Sequence, residues 1–107
     1  MTVADAVQIP IFLYNIPART GVNLSVDTVC RLAQAGNIAG IKDSSGNFDQ
    51  ILQYIEAAPD DFTVLSGNDS LVLWTLQAGG KGGICGIANL FPETMVSIYE
   101  LWKKGRF

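Results

Sequence analysis

Histidine is absent from the 107 residues, which removes the side chain on which most protein metal sites and the Ser/His and Cys/His nucleophilic systems rely. Cysteine is scarce: Cys30 and Cys85 stand 55 positions apart with no CxxC spacing. In their apolar surroundings both are expected to be buried free thiols in a reducing, cytoplasmic compartment. Charge is also sparse, at 16% of residues, with seven Lys plus Arg against ten Asp plus Glu and a net charge of -3. Without a basic cluster there is no electrostatic footprint for a phosphate backbone, so nucleic acid is excluded as a partner. No apolar run reaches the roughly eighteen residues that a spanning helix needs, and the N-terminus has no basic flank leading into an apolar core, which argues against a membrane or secretory reading. Linkers and low-complexity tracts are missing too. What the chain has in plenty is apolar surface, 49% of its residues, enough for one folded domain over 1–107. Any chemistry must therefore run on Lys, Tyr, Arg, Asp, Ser or Thr.

Four short apolar runs lack polar alternation: Gln8 to Asn15, Ile38 to Ser44, Phe62 to Ser66 and Gly83 to Ala88. Strands buried on both faces look like this, and they belong to parallel sheets. Helical patterns follow each run. Ser25 can cap a helix with Val26, Val29, Leu32 and Ala33 on one face and Gly36 as its stop; Asn47 can cap another, ended by Pro59. Asp69 opens a third that closes at Gly79, and Pro92 suits the first turn of a fourth whose stripe is Met95, Val96, Ile98, Tyr99 and Trp102, with Lys103 and Lys104 at its negative end. Four βα units in 107 residues match the rhythm of a (β/α) barrel or a doubly wound sheet. A closed barrel needs eight strands and about 250 residues, so the expected architecture is α/β with parallel strands, half of a (β/α)8 barrel. Such a half leaves two open edges and an apolar inner face. Either the residues are part of a longer chain, or two copies pair their edges about a two-fold axis.

In parallel α/β units, chemistry gathers at the C-terminal ends of the strands. The segments there are Tyr14 to Gly21, Lys42 to Gly46, Ser66 to Asp69 and Gly86 to Asn89. Alternation places Ile38, Gly40 and Lys42 on one face and Ala39 and Ile41 on the other; with the latter toward the helices, Lys42 points into the barrel, as do Phe12 and Tyr14 on the preceding strand. A phenol and an amine then face one another at an apolar rim, where desolvation favours a neutral, nucleophilic amine. Taken singly, each residue has a simpler reading: Lys42 as a strand-end lysine snorkelling to water, Tyr14 as a core aromatic, Arg19 as a loop cation. Two further runs carry no chemistry. Gly79 to Gly83, with Lys81 inside it, ends a helix and enters a strand, the reverse of a phosphate loop, and Asp60-Asp61 lies at the opposite end of the strands as a solvated turn.

Leu13-Tyr14-Asn15-Ile16-Pro17 with Arg19-Thr20-Gly21, then Gly40 to Gly46, then Ser66-Gly67-Asn68-Asp69, then Gly79 to Ile84, resemble in register the dihydrodipicolinate synthase and N-acetylneuraminate lyase family of class I aldolases. The resemblance covers essentially the whole chain and implies that the units are the fifth to eighth strands of that family's barrel. It implies that Lys42 forms an imine with pyruvate, that Tyr14 moves protons at that imine, that Arg19 binds the carboxylate of the second substrate, and that Gly67 and Ile84 line the pyruvate pocket, largely through backbone groups. No metal or separate cofactor is implied, the covalent imine taking that role; the partners are pyruvate and an aldehyde. Arg19 within Arg-Thr-Gly favours the synthase branch, which condenses pyruvate with aspartate semialdehyde in lysine biosynthesis. The alternatives are a 2-keto-3-deoxy sugar acid aldolase or N-acetylneuraminate lyase of the same family, and a catalytically silent half-barrel that self-associates. The family's first four strands have no counterpart here; with them go a threonine pair for the pyruvate carboxylate and a second tyrosine contributed by a neighbouring subunit, so a homo-oligomer is expected.

Overall fold

The structure, a computed structural model, describes residues 2–106. A short helix α1 (Thr2–Ala6) leads into β1 (Ile11–Asn15), and the chain continues through α2 (Pro17–Thr20), α3 (Val26–Leu32), β2 (Ile38–Asp43), α4 (Phe48–Ala57), β3 (Thr63–Ser66), α5 (Val72–Ala78), β4 (Gly82–Gly83) and α6 (Pro92–Lys103). The four strands form one parallel sheet in the order β1-β2-β3-β4. Parallel strands in sequential order are the topology of consecutive barrel units. No helix among the described residues is long and apolar enough to cross a membrane.

The helix boundaries follow from local chemistry. Ser25 accepts a hydrogen bond from the Thr28 N–H and Asn47 from the Gln50 N–H, each satisfying an N-terminal donor of its helix. Pro92 occupies the first turn of α6, and Gly79 closes α5 in the left-handed region at φ 111°. The Gly79 to Gly83 run is thus a helix cap passing into β4. A side chain at Gly80 would run into Thr75 and the Val64 carbonyl, so this turn is glycine-rich for close packing. The core lies between the sheet and helices α1, α3 and α4, built on Val29, Ile38, Ile41, Ile51, Tyr54, Phe62 and Val64.

Several expectations need correction. The first strand begins at Ile11 rather than Gln8, and the fourth is only Gly82–Gly83, with Gly86–Asn89 forming a 3-10 turn instead of strand. β3 ends at Ser66, opposite Gly83, so the apolar residues beyond have no strand neighbour to pair with. The third helix is a 3-10 turn over Asp69–Leu71 before α5 proper. Ile38 does not share the inner face with Gly40 and Lys42. Ile11 pairs with Ile38 but Phe12 with Gly40, a bulge that inserts Ala39 and reverses the parity before it. Ile38 is therefore buried among the helix-side residues. Both cysteines are free, as expected, but half-buried rather than buried. The α6 stripe is scarcely covered: no residue of that helix is buried.

Candidate active site

Beyond the bulge the expected alternation holds. Tyr14 pairs with Lys42, Asn15 with Asp43, and Lys42 with Leu65 across adjacent strands. Tyr14 and Lys42 consequently project from the sheet face opposite the helices, on neighbouring strand ends. The Lys42 Nζ sits 4.2 Å from the centroid of the Tyr14 ring, within cation–π range.

Ser44, two residues beyond Lys42 and on the same face, completes this cluster. Hydrogen bonding with the Ser44 hydroxyl has the largest effect and pulls the Tyr14 phenol below its ordinary pKa; burial opposes it, and the Lys42 hydrogen bond and charge and the Arg19 charge add smaller effects in the lowering direction. The sequence reading passed over Ser44 as a residue of the site, although the period-two alternation that selected Lys42 also selects it. Gly67 directly follows β3, where its N–H donates to the Asp43 carbonyl at 2.8 Å. A Cβ at Gly67 would overlap the Ser44 Oγ and come within 2.9 Å of the Lys42 Cε, so the bare glycine backbone forms one wall around the lysine side chain.

Ile84 lies one strand further along, just past β4, its N–H donating to the Ser66 carbonyl at 2.9 Å. Its side chain is half exposed on the open face. Arg19 stands in α2 on the loop after β1 and is exposed. The structure thus brings Tyr14, Lys42, Ser44 and Gly67 into one cluster, with Ile84 beside it and Arg19 on the loop above.

The sequence model of the dihydrodipicolinate synthetase family matches residues 1–107. The chain belongs to that family. It is 50% identical over 103 residues to a 4-hydroxy-tetrahydrodipicolinate synthase of Archaeoglobus fulgidus, covering 96% of this chain and 36% of that protein. A synthase of the same name from Methanopyrus kandleri is 48% identical over 104 residues, with 96% and 35% covered. Among solved structures, dihydrodipicolinate synthase from Bacillus anthracis superposes with a TM-score of 0.94 at 36% identity, over 98% of this chain and 36% of that one. YagE, a prophage protein of E. coli K12 in that family, solved with pyruvate, also gives 0.94, at 37% identity over 98% and 37%. The chain therefore spans little more than a third of the length of these family members. Four parallel strands from a family of barrels are the half-barrel that the βα rhythm predicts.

Proposed function

We propose that these residues are the lysine-bearing half of a class I pyruvate aldolase, and specifically of a 4-hydroxy-tetrahydrodipicolinate synthase joining pyruvate to aspartate semialdehyde. The observation that carries the reading is the Lys42 amine held over Tyr14 and against Gly67 on the open face of the sheet, in a chain whose curated relatives carry that synthase name. No group other than the covalent imine is invoked.

In this mechanism the neutral Lys42 amine adds to C2 of pyruvate, and loss of water leaves an imine whose protonated nitrogen withdraws electrons from C3. A C3 proton departs, the enamine carbon attacks the aldehyde, and the aldehyde oxygen takes up a proton. Tyr14 suits these transfers, because Ser44 and Lys42 favour its ionised form and so ease the release of its proton. Arg19 supplies a fork of donors for the acceptor's carboxylate. Gly67 and Ile84 shape the pyruvate pocket, the first through its backbone.

Pyruvate with borohydride tests this on the assembled barrel: one pyruvyl adduct per chain should appear on Lys42 and disappear in Lys42→Ala. An adduct undiminished in that variant overturns the assignment. Aspartate semialdehyde, N-acetylmannosamine and glyceraldehyde offered as acceptors then separate the synthase from the sugar-acid aldolases.

The exposed inner face bears on assembly. Phe12 is 44% exposed, Tyr14 50% and Ile84 51%. A compact monomer of 11.5 kDa exposes about 5,800 Å², whereas this chain exposes 6803 Å². The surplus is comparable to the roughly 800 Å² each partner contributes to a stable interface. We infer that a second layer covers this face, from the rest of a longer barrel or from another copy, and that the protein works in the cytoplasm as a homo-oligomer.

A further inference from the structure

Directly behind the Tyr14 and Lys42 pair, on the helix side of the same strand ends, lies a buried polar cluster to which neither the sequence reading nor the mechanism above gives a role. Asn15 and Asp43, each the next residue after a site residue, are 1% and 0% exposed, and Tyr54 of α4 is 0% exposed. Apolar residues are the usual occupants of such positions in a barrel's helix-facing core, and a buried carboxylate is costly unless its oxygens are fully hydrogen-bonded. Here they are. Asp43 Oδ1 accepts from the Ser45 N–H at 3.0 Å and the Ser45 hydroxyl at 2.6 Å, and Oδ2 accepts from Asn15 Nδ2 at 2.8 Å and Gln50 Nε2 at 3.4 Å.

Asn15, Gln50 and Tyr54 each also bond to one place, the far end of the Arg19 loop. Asn15 Oδ1 accepts from the Leu24 N–H at 3.0 Å, and Asn15 Nδ2 donates to Asn23 Oδ1 at 2.9 Å. Tyr54 donates its hydroxyl proton to the Leu24 carbonyl at 2.5 Å and accepts from Gln50 Nε2 at 2.7 Å. Asn23 and Gln50 exchange a reciprocal amide pair at 2.8 and 3.0 Å. The loop that carries Arg19 thus leaves the sheet at Asn15 and returns at Leu24, and Asn15 itself closes its neck. Burial, with the Asp43 charge adding to it, holds the Tyr54 phenol protonated well above its ordinary range, so it remains a donor to the Leu24 carbonyl. Asp43 follows Lys42 directly, so the same cluster that shuts the loop also anchors the end of the lysine's strand.

We propose that Asn15, Asp43, Gln50 and Tyr54 form a clasp whose function is to position: it holds the Arg19 loop at a set distance from Lys42 and thereby tunes recognition of an acceptor aldehyde that bears a carboxylate. The acceptor part rests on the aldolase reading; the clasp itself does not. None of these side chains touches substrate. They act through Arg19, whose guanidinium can present its fork only from an ordered loop.

Two variants test it, Tyr54→Phe, which removes only the hydroxyl, and Gln50→Ala, at a half-exposed helix position where folding is not at stake. Trypsin cleavage after Arg19 reports opening of the loop, because cleavage follows the population of the open form. Losing one or two clasp hydrogen bonds should speed that cleavage roughly five- to tenfold, with cleavage after Lys103 in α6 unchanged. The Lys42 pyruvyl adduct should form at the wild-type rate, while the KM for a carboxylate-bearing aldehyde rises and kcat holds. Unchanged cleavage after Arg19 in both variants removes the clasp. Equal acceleration at Arg19 and Lys103 means general destabilisation and likewise overturns it. A loosened loop with an unaltered KM removes the acceptor role alone. Failure of the assembled barrel to trap pyruvate refutes the aldolase reading and leaves the proteolysis result to decide the clasp.

Discussion

Replacing Gly67 by alanine adds one methyl group where the structure has no room for it. The new Cβ would overlap the Ser44 Oγ, approach the Lys42 Cε to 2.9 Å and the Ser44 Cβ to 3.1 Å. Carbon contacts settle at about 3.5–4.0 Å, so the lysine methylene must retreat by the better part of an ångström, and the serine hydroxyl must swing to another rotamer. Both obstacles are parts of movable side chains, and Gly67 has no left-handed backbone to strain. The stability cost should therefore lie near the lower end of the overpacking range, about 1 kcal/mol, which lowers Tm by roughly 5 °C in a chain of this size. The effect on chemistry should be far larger. The Ser44 hydroxyl that moves is the group that lowers the Tyr14 pKa most, the methylene is next to the Lys42 amine, and misplacing a reacting group by about 1 Å can cost on the order of a hundredfold in rate. The assay is the rate of borohydride-trapped pyruvyl adduct beside a thermal melt of the same sample. An absorbance titration at 295 nm adds a readout independent of turnover, since loss of the Ser44 bond returns the Tyr14 phenol toward its ordinary pKa. Gly67→Ala with wild-type trapping and an unmoved Tyr14 titration would refute the argument that the glycine backbone sets the lysine's position.

Arg19→Ala should raise KM for acceptors bearing a carboxylate and leave uncharged acceptors unchanged, as steady-state kinetics across the aldehyde panel will measure. Stability should fall as pH rises above about 10: the Tyr54 phenol titrates higher in the folded protein than in the unfolded one, chiefly through burial, so its contribution is complete below the unfolded pKa and is lost as the unfolded chain ionises. Thermal melts from pH 8 to 11 should show this fall, with part of it absent in Tyr54→Phe. The Cys85 thiol, pushed up to about 11 by burial and then by Asp69, adds to the same fall from the ordinary thiol range upward and should alkylate slowly in the native protein at pH 8. Sedimentation at micromolar concentration should find a dimer or larger species; a cooperatively melting monomer would mean that the inner face needs no second layer.

What could be read along the chain was whatever depends on neighbours in sequence. Ser25, Asn47, Pro92 and Gly79 mark helix ends because caps act within a turn, and Tyr14 and Lys42 fall on one face because strand alternation is a property of the local backbone. Even so, alternation failed at Ile38, where one extra residue opposite Ile11 reverses the parity; a bulge arises from pairing between strands, and β2 alone has no signal for it. The fourth strand shrank to two residues for a related reason, since an apolar run is a strand only to the extent that a neighbour pairs with it. Ser44 lay within reach of the same period-two argument that selected Lys42, and only its contact with Tyr14 and Gly67 made it part of the site. The buried clasp is the clearest case of tertiary decision. Asp43 and Tyr54 lie 28 and 39 positions after Asn15 along the chain, and each of the three read singly is an ordinary polar residue near a loop or on a helix. Their joint burial exists only once the sheet register sets Asn15 beside Asp43 and α4 packs Tyr54 across both, because a hydrogen-bond network is specified by distances in space that no spacing in sequence encodes.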